Sequence, residues 1–138
     1  MIVYLDTSTV LRALLGQLPV LAGWGNWGEA YSSDLMGVEA RRAIDRLRLA
    51  AALDDAGVAD AHAELARIER SLGRVRLTRR VLARAAQPMA TAVRTLDAIH
   101  LASALLLRER HSDDLLFATH DRRQAVSARA LGFTCVGV

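Results

Sequence analysis

No lysine occurs in this chain; all 18 of its basic residues are arginine. A Walker A phosphate loop, whose lysine reaches the terminal phosphates, is therefore excluded. Cysteine occurs once, at Cys135, so an internal disulfide and a zinc site built from several cysteines are excluded too. Proline occurs only at positions 19 and 88, both between helical patterns. No apolar run approaches the ~18 residues of a membrane span. The opening Met1 to Asp6 has no basic region and meets an acid at once, unlike a secretory signal. A cytoplasmic protein with no membrane contact is the expectation. Repeats, low-complexity tracts and linkers are lacking as well, so residues 1–138 read as one domain with one core. With 52% hydrophobic and 24% charged residues the chain is globular rather than disordered. The net charge of +3 suits an anionic partner such as nucleic acid, and nearly as well an ordinary surface.

Short apolar stretches alternate with helical patterns. Strands are expected at Ile2 to Leu5, Glu29 to Ser32, Leu115 to Ala118 and Phe133 to Val138, with a minor one around Val75 and Leu77. Helices are expected at Thr7 to Leu15, Leu35 to Ala52, Val58 to Leu72, Arg79 to Ala86, Leu96 to Arg110 and Arg122 to Leu131. Trp24 and Trp27, three apart, would share one face of a further short helix within Leu21 to Gly28. This alternation predicts an α/β fold, with a short central parallel sheet sandwiched by helices.

Four acids fall at the edges between apolar and helical stretches: Asp6, Glu39, Asp97 and Asp121. Asp6 and Asp121 each follow a predicted strand. Ligands of open parallel sheets bind outside the carboxyl ends of the strands, where strand order reverses. Asp97 shares a helical face with Leu101, Ala104 and Leu105, and Glu39 lies on the edge of an apolar stripe. An Asp between strand and helix is also an ordinary N-cap, and Glu39 alone would pair with Arg42 or Arg46. Caps, however, need not converge on one pocket. Carboxylates brought together repel and raise one another's pKa unless a cation offsets them. The pattern points to a divalent metal and to phosphoryl chemistry. Oxygen donors without clustered histidine favour Mg²⁺ or Mn²⁺ over zinc.

The segments Val-Tyr-Leu-Asp-Thr-Ser, Val-Glu-Ala, Thr-Leu-Asp-Ala-Ile-His-Leu-Ala and Ala-Thr-His-Asp, in this order along the whole chain, resemble the PIN domain. More narrowly, the chain resembles VapC-type toxins of bacterial toxin–antitoxin pairs. The resemblance implies a PIN-like fold and an endoribonuclease that uses Mg²⁺ or Mn²⁺. It implies Asp6, Glu39, Asp97 and Asp121 as the catalytic acids, with Asp6, Asp97 and Asp121 as direct or water-bridged metal ligands. Glu39 would ligate metal, or orient or deprotonate the attacking water. Ser8 and Thr119 match the hydroxyl positions beside the acids and would hydrogen-bond to the ligands. The resemblance further implies a VapB-type antitoxin as partner and a homodimer within their complex. A PIN-like module that binds RNA or protein without cleaving it is the alternative.

Seven arginines and one acid, Glu69, lie between Arg67 and Arg84. Arg76, Arg79 and Arg80 are the candidate RNA contacts among them, against the reading of a solvated helical face. His100, one turn after Asp97, reads as a packed histidine within reach of the site. Trp24, Trp27, Leu49 and Leu53 are either core or the wall of an antitoxin groove.

Overall fold

The protein is described by a computed structural model covering residues 1–111 and 114–138. The chain runs β1 (Ile2–Leu5), α1 (Thr7–Leu15), β2 (Glu29–Ser33), α2 (Asp34–Leu49), α3 (Asp55–Ser71), β3 (Gly73–Val75), α4 (Arg79–Ala85), α5 (Thr95–His111), β4 (Leu115–Ala118), α6 (Arg122–Ala130) and β5 (Thr134–Val136). All neighbouring strands pair in parallel, in the order β3-β2-β1-β4-β5. The chain builds outward from β1 to β2 and β3, then returns to the other side of β1 for β4 and β5. The reversal of strand order therefore falls between β1 and β4, where parallel sheets open a crevice.

The sheet is apolar on both faces because each face carries helices. Side chains alternate along a strand, so Val3 and Leu5 enter one core with Val10, Met36, Ile44, Leu65 and Ile68. Tyr4 enters the other core, with Leu101, Leu107, Leu115, Phe117 and Phe133. Tyr4 stacks on Phe117 with centroids 5.4 Å apart, and Phe117 meets Phe133 at 5.7 Å. Ser33 starts α2 by accepting the amide of Leu35 at 3.0 Å, and Thr78 starts α4 by accepting that of Val81.

Several expected boundaries move, each for a local reason. Leu21 to Gly28 is not helical. Gly23 and Gly25 take φ of +75° and +85°, and the segment folds as turns instead. The two indoles nevertheless meet edge to face, 5.1 Å apart. The third helix begins at Asp55 rather than Val58, because the Asp54 carboxylate caps Gly57 N–H at 2.7 Å. The minor strand is Gly73–Val75 rather than centred on Val75 and Leu77. Gly73 lies under the Tyr31 ring, which a Cβ there would meet at 2.3 Å. The last strand is Thr134–Val136 rather than Phe133 to Val138, and Gly137 leaves it at φ +101°. Among the described residues no helix is long and apolar enough to cross a membrane.

Candidate active site

Asp6 leaves the carboxyl end of β1 at the N-cap position of α1, yet its side chain does not cap that helix. Its Oδ2 instead accepts the hydroxyls of Ser8 and Thr119, each at 2.8 Å. Ser8 Oγ also accepts the amide of His120 at 2.9 Å, and Thr119 Oγ1 that of Asp121 at 3.0 Å. Two hydroxyls thus lock the end of β1 to the turn that leaves β4. Asp6 is only 6% exposed, an unusual position for a carboxylate.

Asp121 is both things the sequence allows. Its Oδ1 caps α6 by accepting the amides of Arg123 and Gln124 at 2.8 and 3.2 Å, and it lines the same cavity as Asp6. Asp97, in the first turn of α5, and Glu39, on α2, complete the wall. All four predicted acids therefore line one cavity of about 670 Å³ at the strand-order reversal. Burial first, then the charges of Asp6 and Asp121, lift the Asp97 carboxyl above its usual range, and nearby Arg94 opposes this only in part. Arg94 does not fully offset the burial and like charges that act on Asp97.

Glu39 is held differently. Its Oε1 accepts the Thr7 hydroxyl at 2.7 Å and faces His100 Nε2 at 2.6 Å. Burial alone would raise its carboxyl, but the bonds from His100 and Thr7 outweigh it and bring the carboxyl below the usual range. His100 is 1% exposed, and its Nδ1 meets the Tyr4 hydroxyl at 2.7 Å. Burial disfavours the charged imidazole, yet Glu39, Asp6 and Asp97 together leave it raised. His100 is thus the packed histidine expected from the sequence and also a member of the site. Thr7 and Tyr4 were not expected there. The Asp-Thr-Ser triplet places a hydroxyl at Thr7 beside the acid, and that is the one signal the sequence offers for it.

Arg42, Arg46 and Arg94 reach the rim of the cavity. Arg42 lies 3.6 Å from Asp45 rather than pairing with Glu39. Arg76 and Arg80 stand elsewhere, around a hollow of about 260 Å³ with Arg74 and Arg110, between β3, α4 and the end of α5. Arg80 is bonded to Glu109 there at 2.6 Å. Arg79, at the start of α4, is exposed. The tryptophans are not beside the acids: Trp27 lines a hollow at the amino ends of β2 and β3, and Trp24, Trp27 and Leu53 pack on the core. Only Leu49 of that group is openly exposed.

Among the described residues, no three carboxylate, imidazole or thiol groups stand together as a ready-made ligand set for one ion. Asp6 and Glu39 are turned toward neighbouring hydroxyls and the imidazole, and Asp121 toward its helix amides.

Residues 3–130 match the PIN domain family, and the chain belongs to it. No curated protein matches the chain. PIN domains are typically nucleases that use divalent metal ions, so a nuclease role in general accords with the acid-lined cavity.

Proposed function

We propose that the protein is a VapC-type endoribonuclease toxin, dependent on Mg²⁺ or Mn²⁺ and acting in the cytoplasm. The observation that carries this reading is the meeting of Asp6, Glu39, Asp97 and Asp121 in one cavity, with the Asp97 carboxyl lifted by burial and then by the charges beside it. An all-oxygen set suits a hard cation. Mg²⁺ keeps several waters and takes few carboxylates, so spaced acids serve it without a tight trio. Asp6, Asp97 and Asp121 would hold the ion, which when bound offsets phosphate charge and acidifies a water. Ser8 and Thr119 orient Asp6, and Glu39 orients or deprotonates the attacking water. Arg42, Arg46 and Arg94 offer the RNA phosphates a basic rim.

The same mouth suits a VapB-type antitoxin. Val38 and Leu96 stand 59% and 47% exposed beside the acids, as apolar contacts for a partner segment. The carboxylates would receive an arginine fork from that partner. A homodimer within the toxin–antitoxin complex belongs to this reading. The alternative, a PIN-like module that binds RNA or protein without cleaving it, draws on one observation: Asp6 and Glu39 are engaged by hydroxyls and His100.

The deciding experiment incubates the purified chain with total RNA in Mg²⁺, in Mn²⁺ and in chelator, and maps the new ends. Discrete ends in metal alone support the enzyme. RNA retained without any cut would establish the binding module.

Asp97→Asn tests the metal assignment. Calorimetry should show weaker Mn²⁺ binding, and unchanged binding would remove Asp97 from the ligand set. The metal-free variant should be more stable than the parent at neutral pH. A raised carboxyl costs stability above its folded pKa, where it is charged, and costs nothing once pH falls below the unfolded value. The advantage should therefore vanish in acid.

Arg76, Arg79 and Arg80 are proposed as outer phosphate contacts. Replacing all three by Ala should flatten the dependence of log affinity on log salt by roughly one unit for each phosphate no longer neutralised. An unchanged slope would leave them as a solvated face.

A further inference from the structure

Glu39 is a long side chain on a helix, and such side chains sample several rotamers unless tied. Here it is tied on one side only. Among the described residues both of its hydrogen bonds fall on Oε1, from Thr7 at 2.7 Å and His100 at 2.6 Å. The Thr7 hydroxyl donates to that oxygen and lies 3.1 Å from the same imidazole nitrogen, which closes a triangle. A carboxylate can only accept, so Nε2 carries the proton. The other nitrogen of the ring faces the Tyr4 hydroxyl at 2.7 Å. Tyr4 is fully buried on the central strand and stacks on Phe117. The ring is pinned at both ends, and its fixed point lies in the core of the sheet.

We propose that His100 is a positioning residue, anchored by Tyr4, that holds Glu39 by one oxygen and so presents the other to the substrate side of the cavity. This rests on the reading that Glu39 acts in RNA cleavage. His100 touches neither substrate nor water in this role; it acts through Glu39. The chemistry resembles a buried acid that orients a histidine, with the order reversed: here the histidine orients the acid. Residues that orient a reactive group typically change activity by about 10–100-fold when removed.

Two measurements test it. In the metal-free protein, proton NMR should show a slowly exchanging His100 Nε2–H at low field, and Glu39→Gln should move it upfield. Absence of that proton in the parent, or no movement in Glu39→Gln, overturns the proposal whether or not the protein cleaves RNA. In cleavage assays His100→Leu should lower kcat by about 10–100-fold with little change in KM. His100→Gln should recover part of the loss, because its amide N–H can reach Glu39. Tyr4→Phe, which keeps the ring packing, should give a smaller loss in the same direction. In a Glu39→Gln background, His100→Leu should cost nothing further. A full additional loss in the double variant, or equal loss from Gln and Leu, would assign His100 a general structural role and overturn the proposal. If the parent cuts no RNA, the nuclease reading falls, while the Nε2 proton still decides whether His100 holds Glu39.

Discussion

Asp6→Asn is expected to lower metal-dependent RNA cleavage on the order of 10³-fold, or roughly 4 kcal/mol of transition-state stabilisation. Asp6 sits at the point where strand order reverses, and its carboxylate is the least exposed of the four acids'. Asparagine keeps the shape and an oxygen that can still accept from Ser8 and Thr119. What it removes is the charge. The fold should persist, because a buried like charge beside Asp97 disappears with the substitution. Single-turnover cleavage of a mapped substrate, beside thermal unfolding of the same sample, separates these effects. Activity within a factor of about ten of the parent would place the metal, and the reaction, away from Asp6.

The second large effect concerns stability. Phe117→Ala should destabilise the protein by about 3–5 kcal/mol. Phe117 is fully buried and lies between Tyr4 and Phe133, with centroid distances of 5.4 and 5.7 Å. Its removal opens a cavity in the layer that joins the sheet to α5 and α6. Set against a total stability of about 5–15 kcal/mol, that loss would leave little margin. Urea denaturation monitored by circular dichroism gives the number. A loss below about 1 kcal/mol would mean that the aromatic layer repacks around the gap, and that Tyr4 is a looser anchor than its neighbours suggest.

Where the sequence carries local chemical punctuation, its reading and the structure coincide. Ile2–Leu5 ends at an acid, Thr7–Leu15 ends at a glycine with φ of +63°, and Leu115–Ala118 runs into Thr-His-Asp. The four acids are legible for the same reason, since each marks the end of one element or the start of another, or the edge of an apolar stripe. The convergence of all four follows once the strands are parallel and order reverses at β1. Other features depend on distance through space. The spacing of Trp24 and Trp27 suits a helix, yet Gly23 and Gly25 decide the backbone between them. The density of arginine after Arg67 draws the eye to Arg76, Arg79 and Arg80. The arginines at the acid cavity are instead Arg42, Arg46 and Arg94, from segments that look ordinary. His100 can be placed one turn beyond Asp97 by counting. That its far nitrogen meets Tyr4, on another element and 96 residues away, cannot be counted.

Gly137 grips the turn between β4 and α6 from outside. Its carbonyl lies 2.7 Å from His120 Nδ1, and its bare α-carbon rests so close to the Thr119 carbonyl that a Cβ would come within 2.5 Å of that oxygen. Thr119 in turn holds Asp6. The mould that shapes the acid-bearing turn is thus partly made of backbone from beyond the last strand, and it works because position 137 carries nothing. A missing side chain there is as much a component of the site as the hydroxyls that touch Asp6.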